Sequence, residues 1–489
     1  MSRNTCRIIN CLKTQTCVNF HSVYWLQSCQ AVKRVRASPC IAHSLQRTCV
    51  SKPMPEEQRG VDPALYTPPA GVRGMTNLDR EAFTWKVNIP ALRFPKEATS
   101  KLMTSLKRVA LQRPGLKRVV DDGADASYKL LLLDPVSVSS TDSFCNAETE
   151  ALAKFGVPLE LQPYELQLTY DNLKSEEVLR AVLPAGQDVT SGFSRVGHIA
   201  HLNLREHQLP FKNLIGQVIM DKNPGLTCVV NKTNTIDSTY RNFQMEVLAG
   251  DGNMVAKVRE NGVVYEFDFS KVYWNPRLST EHSRVVGLLQ PGDTVLDIFA
   301  GVGPFAIPAA RRGCRVLAND LNPESHRWLL HNCKLNKVDQ KVQAFNLDGR
   351  AFIRGPLKEE LLALLGGTAT VHIVMNLPAL ALEFLDAFRG LLDQCQSPNT
   401  GSLPQVHCYG FSKQDDPHKD VMDRASASLG VPLEGRCSVH LVRNVAPNKE
   451  MMCVSFTLPN EVIFSSNSAE DGSPEEPAPK RQKCEDATD

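Results

Sequence analysis

Residues 294–314 read TVLDIFAGVGPFAIPAARRGC, and the fold of the chain is decided here. Thr294 to Phe299 is a short apolar run of the buried-strand kind, Ala300 to Pro304 is a turn, and Phe305 onward opens a helix. Glycines at 301 and 303 allow a tight turn in which the backbone approaches a ligand closely. Working outward, RVLANDLNP (315–323) reads as a second strand ending in Asp320. VQAFNLDG (342–349) is a third, with Asp348 and Gly349 at its end, and VHIVMNLP (371–378) is a fourth, ending in Asn376-Leu377-Pro378. Strand–helix alternation from Ser283 to about Leu458 predicts a parallel sheet with helices on both faces, whose strand ends line one crevice. The expected class is therefore α/β: a Rossmann-like domain preceded by two small α+β domains.

Gly301-Val-Gly303-Pro-Phe-Ala306 fits the loose dinucleotide fingerprint, so an oxidoreductase has to be weighed. Asp297 at the mouth of the turn and Pro304 inside it argue the other way. A carboxylate there repels a pyrophosphate and offsets the attraction of the helix N-terminus. S-adenosylmethionine carries a sulfonium and an ammonium and no phosphate, which suits an acidic turn. Asp320 then stands where a carboxylate bonds the ribose hydroxyls of an adenosine, and Asp348 and Gly349 lie near the adenine position. Asn376 offers a donor and an acceptor to the edge of a base; alone, NLP also fits an ordinary strand-ending turn.

Upstream, residues 271–287 read KVYWNPRLSTEHSRVVG and hold Tyr273, Asn275, Arg277, Glu281, His282 and Arg284 within twelve residues. A plain helix start explains them too, with Ser279 or Thr280 as cap and Glu281 in the first turn. Residues 161–274 mix a short helix (SEEVLRAVLP) with strand-like runs (VGHIAHLNL, LTCVVNKT, FQMEVLAG, VVYEFDF), a small α+β pattern. Before it, residues 96–120 predict a helix with an apolar stripe of Leu102, Leu106, Val109 and Leu111. Its polar side carries Lys96, Lys101, Lys107, Arg108, Arg113, Lys117 and Arg118 against Glu97, a solvated face or a phosphate-contacting one.

The two ends differ from this core. Residues 1–55 contain no Asp or Glu but eight Lys or Arg, the composition of a mitochondrial transit peptide. The acidic, Ser- and Pro-rich segment 461–489 lacks the apolar residues that ordering requires. Its PKRQK cluster (479–483) resembles a nuclear import signal. Across 489 residues the net charge is +2, no apolar run is long enough to span a membrane, and fifteen cysteines include no CxxC pair. The expectation is reduced thiols with no bound metal. The absence of coiled-coil heptads makes a monomer the default. The domains read as 76–150, 155–282 and 283–460.

The set VYWNPRLSTEH, DIFAGVGP, NDLNP and MNLP, in this order behind a basic N-terminal domain, closely resembles the archaeal and eukaryotic tRNA (guanine-37-N1) methyltransferases, in their vertebrate-like mitochondrial and nuclear form. The resemblance covers residues 80–458. It implies three domains, the first gripping the outer corner of tRNA and the second the anticodon stem. It implies Glu281 as general base, Arg241 (in STYRNF, 238–243) as the contact to guanine O6, and Asn376 and Pro378 as the catalytic strand-end motif. Tyr273 and Arg277 match residues lining the base pocket, His282 a cofactor contact, and Leu321 and Gly349 backbone contacts beside Asp320 and Asp348. Gly301 and Asn376 complete the S-adenosylmethionine site. The implied places are mitochondrial matrix, nucleus and cytoplasm, and the implied methylation is the first step toward wybutosine on phenylalanine tRNA. Two alternatives stay open: the wybutosine-pathway aminocarboxypropyl transferase, and a non-catalytic tRNA-binding protein. GPLKEELLALLGGTATVH (355–372) is longer than the family's minimal pattern, and its Gly-Gly segment is expected to be a loop.

Overall fold

A long strand organises the first domain. The computed structural model describes residues 67–465 except 187–188, 190–191, 237–242, 366 and 395–402. β1 (Trp85–Pro95) is followed by α1 (Thr99–Ser105), β2 (Val119–Asp121), β3 (Tyr128–Leu132), α2 (Asn146–Lys154) and β4 (Leu161–Leu168), in sheet order β2-β3-β1-β4. The helix expected over 96–120 is only α1. Past Leu106 the chain turns back onto the sheet, where Leu111 N donates to Leu132 O at 2.9 Å, and Pro114 and Gly115 (φ +69°) prevent the helix from resuming. All four stripe residues, three leucines and a valine, are buried as expected, but Leu111 packs on a different side of the sheet from the other three. The boundary expected after residue 150 is displaced to Leu168, because β4 pairs antiparallel with β1 from Trp85–Leu168 to Leu92–Leu161. Of the basic side chains, Arg108 is bound to Glu148 and Arg113 to Glu177, so those two serve the fold.

The second domain packs α3 (Ser175–Val182) and α4 (Lys212–Lys222) on a sheet of β5 (Ser194–Val196), β6 (Ile199–Leu202), β7 (Cys228–Ile236) and β8 (Phe243–Gly250). Gly250 ends it for a steric reason: at φ +97° a Cβ there would lie 1.9 Å from Thr227 O. Next comes the hairpin β9 (Val255–Glu260) and β10 (Val263–Asp268), turning on Asn261-Gly262 at φ 48° and 78°.

The remainder runs α5 (Ser279–Leu288), β11 (Thr294–Asp297), α6 (Ala306–Arg311), β12 (Arg315–Asn319), α7 (Pro323–Leu335), β13 (Val342–Phe345), α8 (Gly349–Phe352), α9 (Lys358–Leu364), β14 (Val371–Met375), β15 (Gln405–Ser412), α10 (Pro417–Leu429), β16 (Cys437–Ala446), β17 (Lys449–Thr457) and α11 (Asn460–Ile463). The sheet order is β13-β12-β11-β14-β15-β17-β16, parallel through β15, with β17 and β16 antiparallel. Successive residues enter opposite cores: Val295, Val316 and Val374 on one face, Leu296, Leu317 and Ile373 on the other.

Two expected limits shift within this domain. The β9–β10 hairpin and α5 belong to it rather than to the preceding domain: Glu266 N donates to Asn332 Oδ1 on α7 (2.8 Å), Val264 N to Asn336 Oδ1 just after it (3.2 Å), and Glu281 of α5 accepts from Tyr409 of β15. The long segment after residue 355 is largely helix, with Leu357 and Leu361 buried in the core. At the other end, Glu461 does not begin the tail. Val462 and Ile463 are buried, and Glu461 pairs with Arg436 at 2.6 Å. The leader expected at 1–55 and the tail from residue 466 lie outside the described residues.

Candidate active site

The glycine turn sits as its sequence requires. Gly301 (φ +56°) and Gly303 (φ +101°) are both left-handed, and the space where a Gly301 side chain would stand is open. Asp320, immediately after β12, accepts from Gly301 N at 2.8 Å and from Asn322 N at 2.9 Å, so the second strand end is tied to the turn. The carboxyl ends of β11, β12 and the residues after β13 are drawn together by Asn319, whose Nδ2 donates to Ile298 O and Leu347 O.

Asp297 lies directly beneath this turn and is 0 % exposed. Among the described residues neither of its carboxylate oxygens has a well-formed hydrogen bond, and only the backbone N–H of Phe299 lies near enough to offset part of its burial. Burial first, and the like charge of Asp320 second, push its carboxyl from 3.8 up to about 8. At the end of β14 a second buried group stands unpaired, Asn376 Oδ1. Buried polar atoms without partners are expensive in a protein interior. Here two of them stand at the ends of the adjacent strands β11 and β14, above which the glycine turn is open, the arrangement a ligand with cationic and hydrogen-bonding groups would complete. S-adenosylmethionine fits that donor set: Asp320 for ribose hydroxyls, the turn for close backbone approach, and Asp297 for positive charge.

A pH dependence follows. The Asp297 carboxyl is raised in the fold, so the native chain holds more protons than the unfolded chain between 3.8 and about 8. The ligand-free protein should accordingly lose stability as pH rises through that interval. Asp297→Asn should flatten the slope, read as urea midpoint against pH; an unchanged slope contradicts the assignment.

The other residues of the cofactor set are less uniform. His282 is buried, with Nδ1 2.6 Å from Glu260 Oε1 and its ring edge-on to Phe305 of the turn at 4.8 Å. Gly349 is buried with Phe384 and Phe299 where a side chain would go, and Asp348 caps α8 by accepting from Arg350 N at 2.9 Å. Leu321 is exposed, and its carbonyl accepts from Asn346.

Glu281 is 5 % exposed. It is no helix cap, and neither Ser279 nor Thr280 caps α5. Asn275 does the capping, one turn earlier, by accepting from Arg277 N at 3.1 Å. Glu281 Oε1 accepts from Arg284 Nη2 (2.6 Å) and Tyr409 OH (2.7 Å), and Oε2 accepts from Arg284 Nε (2.7 Å). Hydrogen bonding to Glu281 raises Arg284 above the usual guanidinium range. Desolvation raises the Tyr409 phenol well above its ordinary value. Both groups therefore remain donors to the carboxylate.

Tyr273, 58 % exposed, and Arg277 line a cavity of about 280 Å³ with Asn275, Phe269, His201 and Arg443. Its walls include neither Glu281 nor Asn376. Pro378, beyond Asn376, ties the motif to β15 by accepting from Phe411 N at 2.9 Å. Arg241 lies outside the described residues. Sequence reasoning missed Tyr409, His440 and Arg443. All three lie on β15 and β16, where residue alternation says which face a side chain takes but not what stands opposite.

The TRM5/TYW2 methyltransferase domain model matches residues 256–396, and the TYW2 N-terminal domain model matches 175–253. The chain is 68% identical to a tRNA (guanine(37)-N(1))-methyltransferase of Danio rerio, over 88% of this chain and 92% of that one. It is 60% identical to the protein so named in Homo sapiens, over 89% and 86%. Two solved structures share the fold: Trm5b from Pyrococcus abyssi (24% identity, TM-score 0.51, 76% of this chain and 99% of that one) and aTrm5 in complex with tRNALeu (20%, 0.52, 76% and 100%).

Proposed function

The chain belongs to the tRNA (guanine(37)-N(1))-methyltransferase family, and we propose that Glu281 is the general base of its reaction. The enzyme methylates guanosine 37 of tRNA at N1, with S-adenosylmethionine as donor. The observation that carries the assignment of the base is the Glu281 carboxylate, buried at the start of α5 and held by Arg284 and Tyr409.

Guanine N1 bears a proton at neutral pH and is a poor nucleophile until it leaves. Oε1 of Glu281 is occupied by two donors, whereas Oε2 receives one and keeps a lone pair for that proton. Negative charge then builds on O6, and Arg241 is the residue assigned to neutralise it. Asn376, with its unpaired Oδ1, holds the base edge, and Pro378 fixes the strand end behind it. The nucleotide must leave the anticodon stack, and the exposed ring of Tyr273 beside Arg277 offers a surface for it. Asp320, Gly301, Leu321, His282, Asp348, Gly349 and Asn376 would hold the cofactor, whose chemistry when bound is donation of an electrophilic methyl group.

The substrate chemistry is tested with tRNA transcripts carrying guanosine, inosine or adenosine at position 37. Guanosine and inosine share N1–H and O6 and should both accept methyl, while adenosine should accept none. Equal methylation of adenosine would overturn the base and O6 assignments together.

The acid-free leader supports a mitochondrial matrix form and the PKRQK cluster a nuclear one, with cytoplasmic tRNA also served. On phenylalanine tRNA this methylation is the first step toward wybutosine. The enzyme acts as a monomer.

A further inference from the structure

We propose that His440 is the proton outlet of Glu281, accepting at Nε2 the proton that Glu281 takes from guanine N1 and releasing it to solvent. This rests on the reading of Glu281 as base.

His440 lies on β16, the edge strand of the sheet, with a half-exposed side chain (50%) whose Nε2 is 3.7 Å from Glu281 Oε2. Oε2 is also the oxygen with a lone pair to spare. A small side-chain rotation or one bridging water closes a gap of that size. The need for an outlet comes from turnover: Glu281 serves again only after Oε2 has passed on the proton it took, and Oε1 is already filled by Arg284 and Tyr409.

Among the described residues, titratable or charged groups face Glu281 from α5, β15, β17 and β16. Arg284 on α5 and Tyr409 on β15 already donate and hold their protons. Cys453 on β17 is a buried thiol pushed up to about 11, so it too stays protonated. His440 on β16 is left, a half-exposed imidazole whose Nε2 can receive a proton and whose ring reaches solvent. The neighbouring His407 is no substitute, because burial and the charges around it push its imidazole down to about 3.

The steps balance. The N1–H bond breaks as an O–H bond forms on Glu281 Oε2, and the electron pair left on N1 would take up the donor's methyl group as its carbon–sulfur bond breaks and leaves a neutral thioether. The O–H bond then breaks as Nε2–H forms on His440, and the imidazolium returns its proton to water.

The test is steady-state methylation of a guanosine-37 transcript from pH 6 to 9 by the full chain, His440→Ala and Glu281→Gln, each with and without added imidazole. His440→Ala should turn over about tenfold more slowly and show an altered pH profile. Its tRNA affinity and melting temperature should be unchanged, and imidazole should restore several-fold of its rate without stimulating wild type. A His440→Ala enzyme at wild-type rate, or a slow one indifferent to imidazole, overturns the outlet. If Glu281→Gln is inactive in the same experiment, only the outlet has failed. If Glu281→Gln is fully active, the base assignment has failed and the outlet with it.

Discussion

Glu281→Gln should keep tRNA and cofactor binding and lose roughly 100- to 10,000-fold in turnover, the range removed with a general base. Glutamine preserves the size of the side chain and one acceptor oxygen, so Arg284 and Tyr409 each retain a possible partner. What disappears is the capacity to take a proton. The substitution also leaves Arg284 without its counter-charge, and breaking a buried ion pair costs up to about 3–5 kcal/mol. Arg284 is partly exposed and water softens that cost, so the melting temperature should fall modestly. Single-turnover rates with saturating tRNA and donor, on protein shown folded at the assay temperature, isolate the chemical step. A near wild-type rate would return Glu281 to a purely structural role.

Asp320→Ala should raise the dissociation constant for S-adenosylmethionine by roughly 10- to 100-fold, since each hydrogen bond to a charged group contributes about 1.5–3 kcal/mol. The aspartate does two things. In the ligand-free fold it accepts from Gly301 N and Asn322 N, fixing the turn and the start of α7. With the donor bound it is also the carboxylate for the ribose hydroxyls. Both contributions vanish in alanine, whereas Asp320→Asn keeps an acceptor for Gly301 N and should fall between. Calorimetric titration with S-adenosylhomocysteine reads the affinity without turnover. Unchanged affinity in the alanine variant would remove Asp320 from the cofactor site.

How much of this was legible in the sequence depends on the range of the interactions. The glycine turn, the strand-end Asp320 and the Asn376 motif are local signals, and they stand at adjoining strand ends as read. The boundary after residue 150 was not legible, because β4 is claimed by β1 across some seventy residues of chain. The β9–β10 hairpin was assigned to the wrong domain for the same reason. Its alternation shows a hairpin, but only contact with α7 shows where it docks. The expected 96–120 helix had the right apolar stripe, yet Pro114 and Gly115 and the bond from Leu111 to Leu132 settle the backbone. At the site, Glu281 could be singled out by family resemblance. Tyr409, 128 positions away, could not, since no spacing rule links a strand residue to a helix packed over its sheet.

The most direct test of the central claim is mass mapping of an unmodified guanosine-37 tRNA after incubation with the protein and S-adenosylmethionine. The account predicts one added methyl group, on N1 of guanosine 37, and none in the presence of excess S-adenosylhomocysteine. An added aminocarboxypropyl group, or a methyl group at any other nucleotide, would contradict it.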